Sequence, residues 1–179
     1  MKPTFSAFIL FASLAFAVQA RATVLPDACG NDKVKFDVSA ESNQPAPGPL
    51  ADGKARIVFI ENENHMLGPF MNATVRFGLD GAWAGANNSN SYFTVTVDPG
   101  VHHLCASWQS ALPMLKKSID VASFTAEAGR VYYFAAQVTV IPSTERKTTD
   151  EYTFGLSQLN DDEGQYRVKA WKLATSTPK

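Results

Sequence analysis

Three histidines, two cysteines and a short run of acids are the residues of this chain with chemistry to offer. His65, His102 and His103 could ligate a metal or move protons near neutral pH. His102 and His103 are adjacent in an alternating segment, HHLCASW, and neighbours on a strand point to opposite faces. The pair is therefore not set to grip one ion; one is expected in the core or at its rim and the other in solvent. His65 lies in a polar stretch with no spacing that joins it to either. Cys29 and Cys105 form no C-x-x-C, and only Cys105 has histidines near it, so a zinc site fits poorly. Asp161, Asp162 and Glu163 are close together, but glycoside chemistry needs two carboxylates across a cleft. Here the acids follow Asn160, and Asn160 with Glu163 three residues on has the pattern of a helix capping box. Nucleophile-elbow, zinc-protease, phosphate-loop and dinucleotide motifs are all missing. No catalytic residue, metal or cofactor is expected.

What remains is binding. Trp83, Tyr92 and Trp108 lie near loops or strand ends, where exposed rings could stack on a sugar or meet a partner. The competing expectation is that they pack in the core and its rim, as most aromatics do. Asn72-Ala73-Thr74 and Asn87-Asn88-Ser89 fit glycosylation acceptors, in a host that modifies exported chains.

The amino end sets the compartment. Lys2 precedes an apolar run from Phe5 to Val18, and Ala20-Arg21-Ala22 follows with small residues at a cleavage spacing. That is the layout of a secretory leader, residues 1–22, cut near Ala20 or Ala22. The run is shorter than the roughly 20 residues a membrane span needs, although an uncleaved anchor is the alternative. A lipid anchor on Cys29 fits badly, because Pro26-Asp27-Ala28 precedes it. The removed segment carries two cations and no acid, so the remainder is slightly more acidic than the whole chain's net charge of −1. No Lys/Arg cluster occurs, which argues against nucleic acid. No second apolar stretch would span a bilayer. In an exported chain an even cysteine count favours a Cys29–Cys105 bridge over two independent thiols.

These residues must be positioned by strands. Val34, Phe36 and Val38 alternate with polar residues; Ser39 to Lys54 is a Pro-rich linker. Ala55 to Ile60 is apolar on both faces, as a central strand would be. Further alternations run through 74–79, 82–85, 92–97, 102–108, 118–126, 130–141 and 152–156, punctuated by Asp80-Gly81, an Asn-rich turn at 86–90, Asp98-Pro99-Gly100 and the turn at 127–130. Tyr166, Ala170 and Leu173 then recur at helical spacing. They predict a short helix over about 161–172, with a last strand as the other reading. The expected architecture is all-β: one antiparallel sandwich of about seven or eight strands with one short C-terminal helix. Residues 23–53 form an arm, first strand and linker, 54–173 the sandwich with its helix, and 174–179 a flexible tail.

Asp80-Gly81, Ser91-Tyr92-Phe93, Asp98-Pro99-Gly100 with His102 or His103, and Glu127-Ala128-Gly129 before Tyr132-Tyr133-Phe134 together resemble an uncharacterised bacterial exported family, domain of unknown function 2846. The resemblance covers roughly residues 54–173. GLDGAWAGAN and HHLCASWQS resemble a branch found in soil bacteria of the acidobacterial kind. The family implies an export signal and a compact β-sandwich, and implies no catalytic residue. Many of its members look like lipoproteins, from which this chain departs. The expected function is a non-enzymatic module of the bacterial envelope, periplasmic or secreted, that binds an envelope protein or glycan. A carbohydrate-binding module using the three aromatics is the alternative, and a hydrolase with a site assembled from separate loops is the second.

Overall fold

The computed structural model describes residues 28–41, 47–62, 74–88, 90–109, 119–141 and 151–179. The expected leader, His65, the Asn72 acceptor and Ser89 of the second acceptor lie outside the described residues. The described chain forms ten strands and one helix: β1 (Phe36–Glu41), β2 (Ala55–Asn62), β3 (Thr74–Leu79), β4 (Ala82–Asn88), β5 (Ser91–Val97), β6 (Gly100–Gln109), β7 (Ile119–Ala126), β8 (Val131–Ile141), β9 (Glu151–Leu159), α1 (Asp161–Ala170) and β10 (Lys172–Pro178). Two sheets pack face to face. One has six strands in the order β1-β10-β5-β2-β8-β9, the other four in the order β4-β3-β6-β7.

The all-β sandwich is as the alternation implies, but the large sheet is mixed, not purely antiparallel. β2 pairs with β8 in parallel: after β2 the chain builds β3 and β4, returns as β5 antiparallel to β2, builds β6 and β7, and comes back as β8 on the other side of β2. β10 also meets β5 in parallel over Lys172 and Leu173. Residues 174–179, expected as a tail, are largely strand instead. β10 lies between β1 and β5, with Phe36 opposite Pro178 and Glu41 opposite Leu173. The helix ends at Ala170, where the Trp171 backbone N–H bonds to the Arg167 carbonyl.

The continuous apolar run of β2 has a structural reason: both its faces are covered. Ala55, Ile57 and Phe59 enter the core between the sheets with Val75, Phe77, Phe93, Leu104, Ala106 and Phe134. The Phe59, Phe77 and Phe93 rings meet there at centroid distances of 4.9–5.8 Å. Val58 and Ile60 face the other way, into a second cluster with Tyr92, Tyr133 and Ala135. Val168, Trp171 and Leu173 cover that cluster. Gly164 lets α1 come down on it, since a Cβ there would stand 2.1 Å from the Tyr133 ring. Asn160 caps the helix as its position predicts, its side-chain oxygen accepting from the Glu163 N–H at 2.9 Å.

Candidate functional site

The three candidate aromatics do not form a platform. Tyr92 is 4 % exposed and lies under the helix-covered face of the large sheet; Trp108 is 3 % exposed. Trp108 is on β6 and stacks with Phe154 of β9 at 6.5 Å. Trp83 is half-buried on β4, and its indole N–H donates to the Asn31 carbonyl at 2.7 Å. Local alternation could not show that Tyr92 and Trp108 are covered, because the covering elements come from distant parts of the chain.

Trp83 belongs to a clamp of which the sequence revealed the Cys29–Cys105 bridge but not the side chains around it. Residues 28–35 lie against the small sheet, tied by the Cys29–Cys105 disulfide, whose Cα atoms are 5.2 Å apart. Both cysteines are buried. Gly78 of β3 makes the approach possible, since a Cβ there would come within 2.7 Å of the Ala28 carbonyl oxygen. Arg76, also buried, donates to the carbonyls of Asp32 at 3.0 Å and Val34 at 2.7 Å and to the Ser107 hydroxyl at 3.0 Å. Its guanidinium lies over the Trp83 ring at 4.4 Å. Burial lowers the Arg76 pKa, and the nearby Asp32 carboxylate opposes that. The disulfide and the hydrogen bonds to Asn31, Asp32 and Val34 fasten the arm, Ser107 and the Trp83 ring hold Arg76 to β6 and β4, and none of these contacts presents a reactive group to solvent.

The histidine pair separates as strand geometry requires: His102 is half-buried and His103 exposed. His102 is held on both sides of its ring. Nδ1 is 2.6 Å from the Asp80 carboxylate, and Nε2 is 2.8 Å from the Asp98 carbonyl. Asp80 sits in the two-residue turn between β3 and β4. Its φ is 50° and that of Gly81 is 90°, the left-handed pair a tight hairpin demands. This aims the carboxylate back across β6, where its other oxygen accepts from the His103 N–H at 2.8 Å. The carboxylate of Asp98 pairs with Lys54. The His102 ring also packs on Phe124, with centroids 5.8 Å apart.

The electrostatics follow from these partners. Partial burial disfavours charge on His102, but the Asp98 carbonyl and the Asp80 carboxylate favour it more and raise its pKa above the ordinary imidazole value. Partial burial pushes Asp80 upward, yet the His103 amide and the two imidazoles outweigh it and leave its pKa lowered. A general base needs a free ring lone pair facing substrate. Here both ring nitrogens face acceptors. The sequence marked His102 but not Asp80, whose turn role hid its second role as a histidine partner.

Two shallow grooves flank the start of α1. One, of about 690 Å³, is lined by residues from Gln158 to Glu163. The other, of about 300 Å³, is lined by Gly129, Arg130, Val131, Tyr133, Asp161 and Gln165. Neither contains a histidine. Among the described residues no group of three or more His, Cys, Asp or Glu side chains could hold a metal ion, and no helix is long and apolar enough to cross a membrane. No family model, curated protein or solved structure matches the chain.

Proposed function

We propose that this protein is a non-enzymatic β-sandwich module of an exported compartment, acting by binding or interaction in the bacterial envelope. The observation that carries the reading is the arm welded to the small sheet through Cys29 and Cys105. Structural disulfides persist where the surroundings are oxidising, and the leader-like residues 1–22 point to the same place. The engagement of both His102 nitrogens supports a non-catalytic role for the half-buried histidine. The resemblance to an exported family without catalytic residues agrees with this.

The test combines location with partner. Cells are fractionated and thiols are alkylated without reductant. The expected result is protein in the exported fraction with neither cysteine modified. Crosslinking in the intact envelope should then recover one recurrent envelope protein or glycan. Cytosolic protein with two alkylatable thiols, or turnover of ester, peptide or glycoside substrates by the purified chain, would overturn the proposal.

A further inference from the structure

We propose that His102 is a proton-operated clasp: as imidazolium it ties the β3–β4 turn to the β5–β6 turn, and when it loses its proton this end of the sandwich loosens. The inference concerns the end of the sandwich formed by the β3–β4 and β5–β6 turns and does not depend on what the module binds.

The geometry carries it. A neutral imidazole has one N–H donor and one acceptor nitrogen. His102 faces a carboxylate oxygen from Nδ1 and a backbone carbonyl from Nε2, and neither can donate. Only the doubly protonated ring satisfies both contacts. A neutral ring must set a lone pair against either Asp80 or the Asp98 carbonyl, so one of the two turns is released. The clasp reaches further than two residues. Asp80 also accepts from the His103 N–H, and the Asp80 N–H donates to the His103 carbonyl at 2.9 Å. Asp98 pairs with Lys54, whose carbonyl accepts from the Gly129 N–H at 2.8 Å in the turn between β7 and β8.

The groups that face the ring are few. Asp80 comes from the β3–β4 turn, Asp98 from the β5–β6 turn, with Lys54 beyond it at the start of β2, and His103 is next along β6. From β7 comes the uncharged Phe124 ring, backed by Tyr132 of β8, whose hydroxyl accepts from the Glu127 N–H. The direction is fixed by linkage. A raised histidine pKa contributes stability that is full below the unfolded value of about 6.5 and is lost as pH rises through the folded value. The lowered Asp80 pKa contributes stability that is present above its unfolded value and is lost as pH falls through the folded one. The clasp is therefore closed between those limits and opens on the alkaline side through His102.

Two measurements on the isotope-labelled protein test this. In two-bond proton–nitrogen spectra recorded at the ordinary imidazole pKa of about 6.5, both ring nitrogens of His102 should carry protons in most molecules. Amide exchange, corrected for its intrinsic rise with pH, should then climb several-fold at Asp80 and His103 in a step centred on the His102 pKa. The capped Glu163 amide should show no such step. His102→Gln should abolish the step, because glutamine has no proton to lose. Asp80→Asn keeps a residue tolerant of the left-handed turn and should move the step to lower pH, which keeps the test open if His102→Gln fails to fold. A neutral His102 at that pH, or the lack of a step in the unaltered protein, would overturn the proposal. So would a step unmoved by Asp80→Asn.

Discussion

Arg76 is a cation taken out of water to hold backbone. It donates to two carbonyls of the arm and to Ser107, and its flat face covers Trp83. Arg76→Met preserves much of the volume but strands those acceptors under the arm. The expected loss is on the order of 1–3 kcal/mol, the penalty for unsatisfied buried polar groups. Urea unfolding followed by tryptophan fluorescence would measure it, and an unchanged midpoint would show that the arm adds nothing through this residue. Trp83→Ala should be milder, because the indole is half-buried and makes one hydrogen bond. At this scale the sequence could nominate residue types but not their surroundings. Arg76 stood in it as an ordinary polar member of an alternating strand, and Tyr92 as a candidate contact ring near a strand end.

Elements were far more legible, and the reason is periodicity. β2, β3, β5, β6, β7 and β8 each bury one or both faces, and burial writes itself into alternation or an apolar run. β10 was hidden because its residues, KLATSTP, are short, polar and end in proline, and only Ala174 is buried. It is held by backbone pairing with β1, which leaves no mark in side-chain pattern. Truncation after Trp171 would leave β1 and β5 without the strand between them. Cooperative thermal unfolding should then be lost, whereas a dispensable tail would leave the transition unchanged. Gly164 gives a sharper test. Glycine to alanine inside a helix gains about 1 kcal/mol from propensity alone. Here the new methyl meets the Tyr133 ring, and overpacking costs about 1–3 kcal/mol. Gly164→Ala should therefore lower stability. Stabilisation in a thermal melt would mean that α1 does not press on Tyr133.

At the scale of the molecule, the sandwich is closed by two ties between remote parts of the chain. The first is covalent: Cys29 and Cys105 are 76 positions apart. A bridge of that span is worth roughly 4–5 kcal/mol in the chain-entropy model, and removal of native bridges from small exported domains costs about 2–5 kcal/mol. Replacing both cysteines by alanine should lower stability by an amount in that range while keeping the strand signature in circular dichroism. Equal stability with and without reductant would show that the clamp is not structural. The fold class was legible at this scale from strand count and turn spacing. The parallel β2–β8 pairing was not, because it arises from where the chain comes in on its second return from the other sheet, after β5 has taken one side of β2.

The second tie is the insertion of β10 between β1 and β5, and it governs the order of assembly. Ser39 bonds across to Thr175, 136 positions away. A ribosome makes β1 early, and nothing synthesised before Lys172 supplies the partner it has in the finished sheet. Until then the unfinished sheet exposes open hydrogen-bonding edges, the kind of surface that captures stray strands. Closure waits on the most distant strand pairing among the described residues, and such pairings make folding slow. A nascent form of this protein therefore keeps the β10-facing edges of β1 and β5 open until the last described strand slots between them.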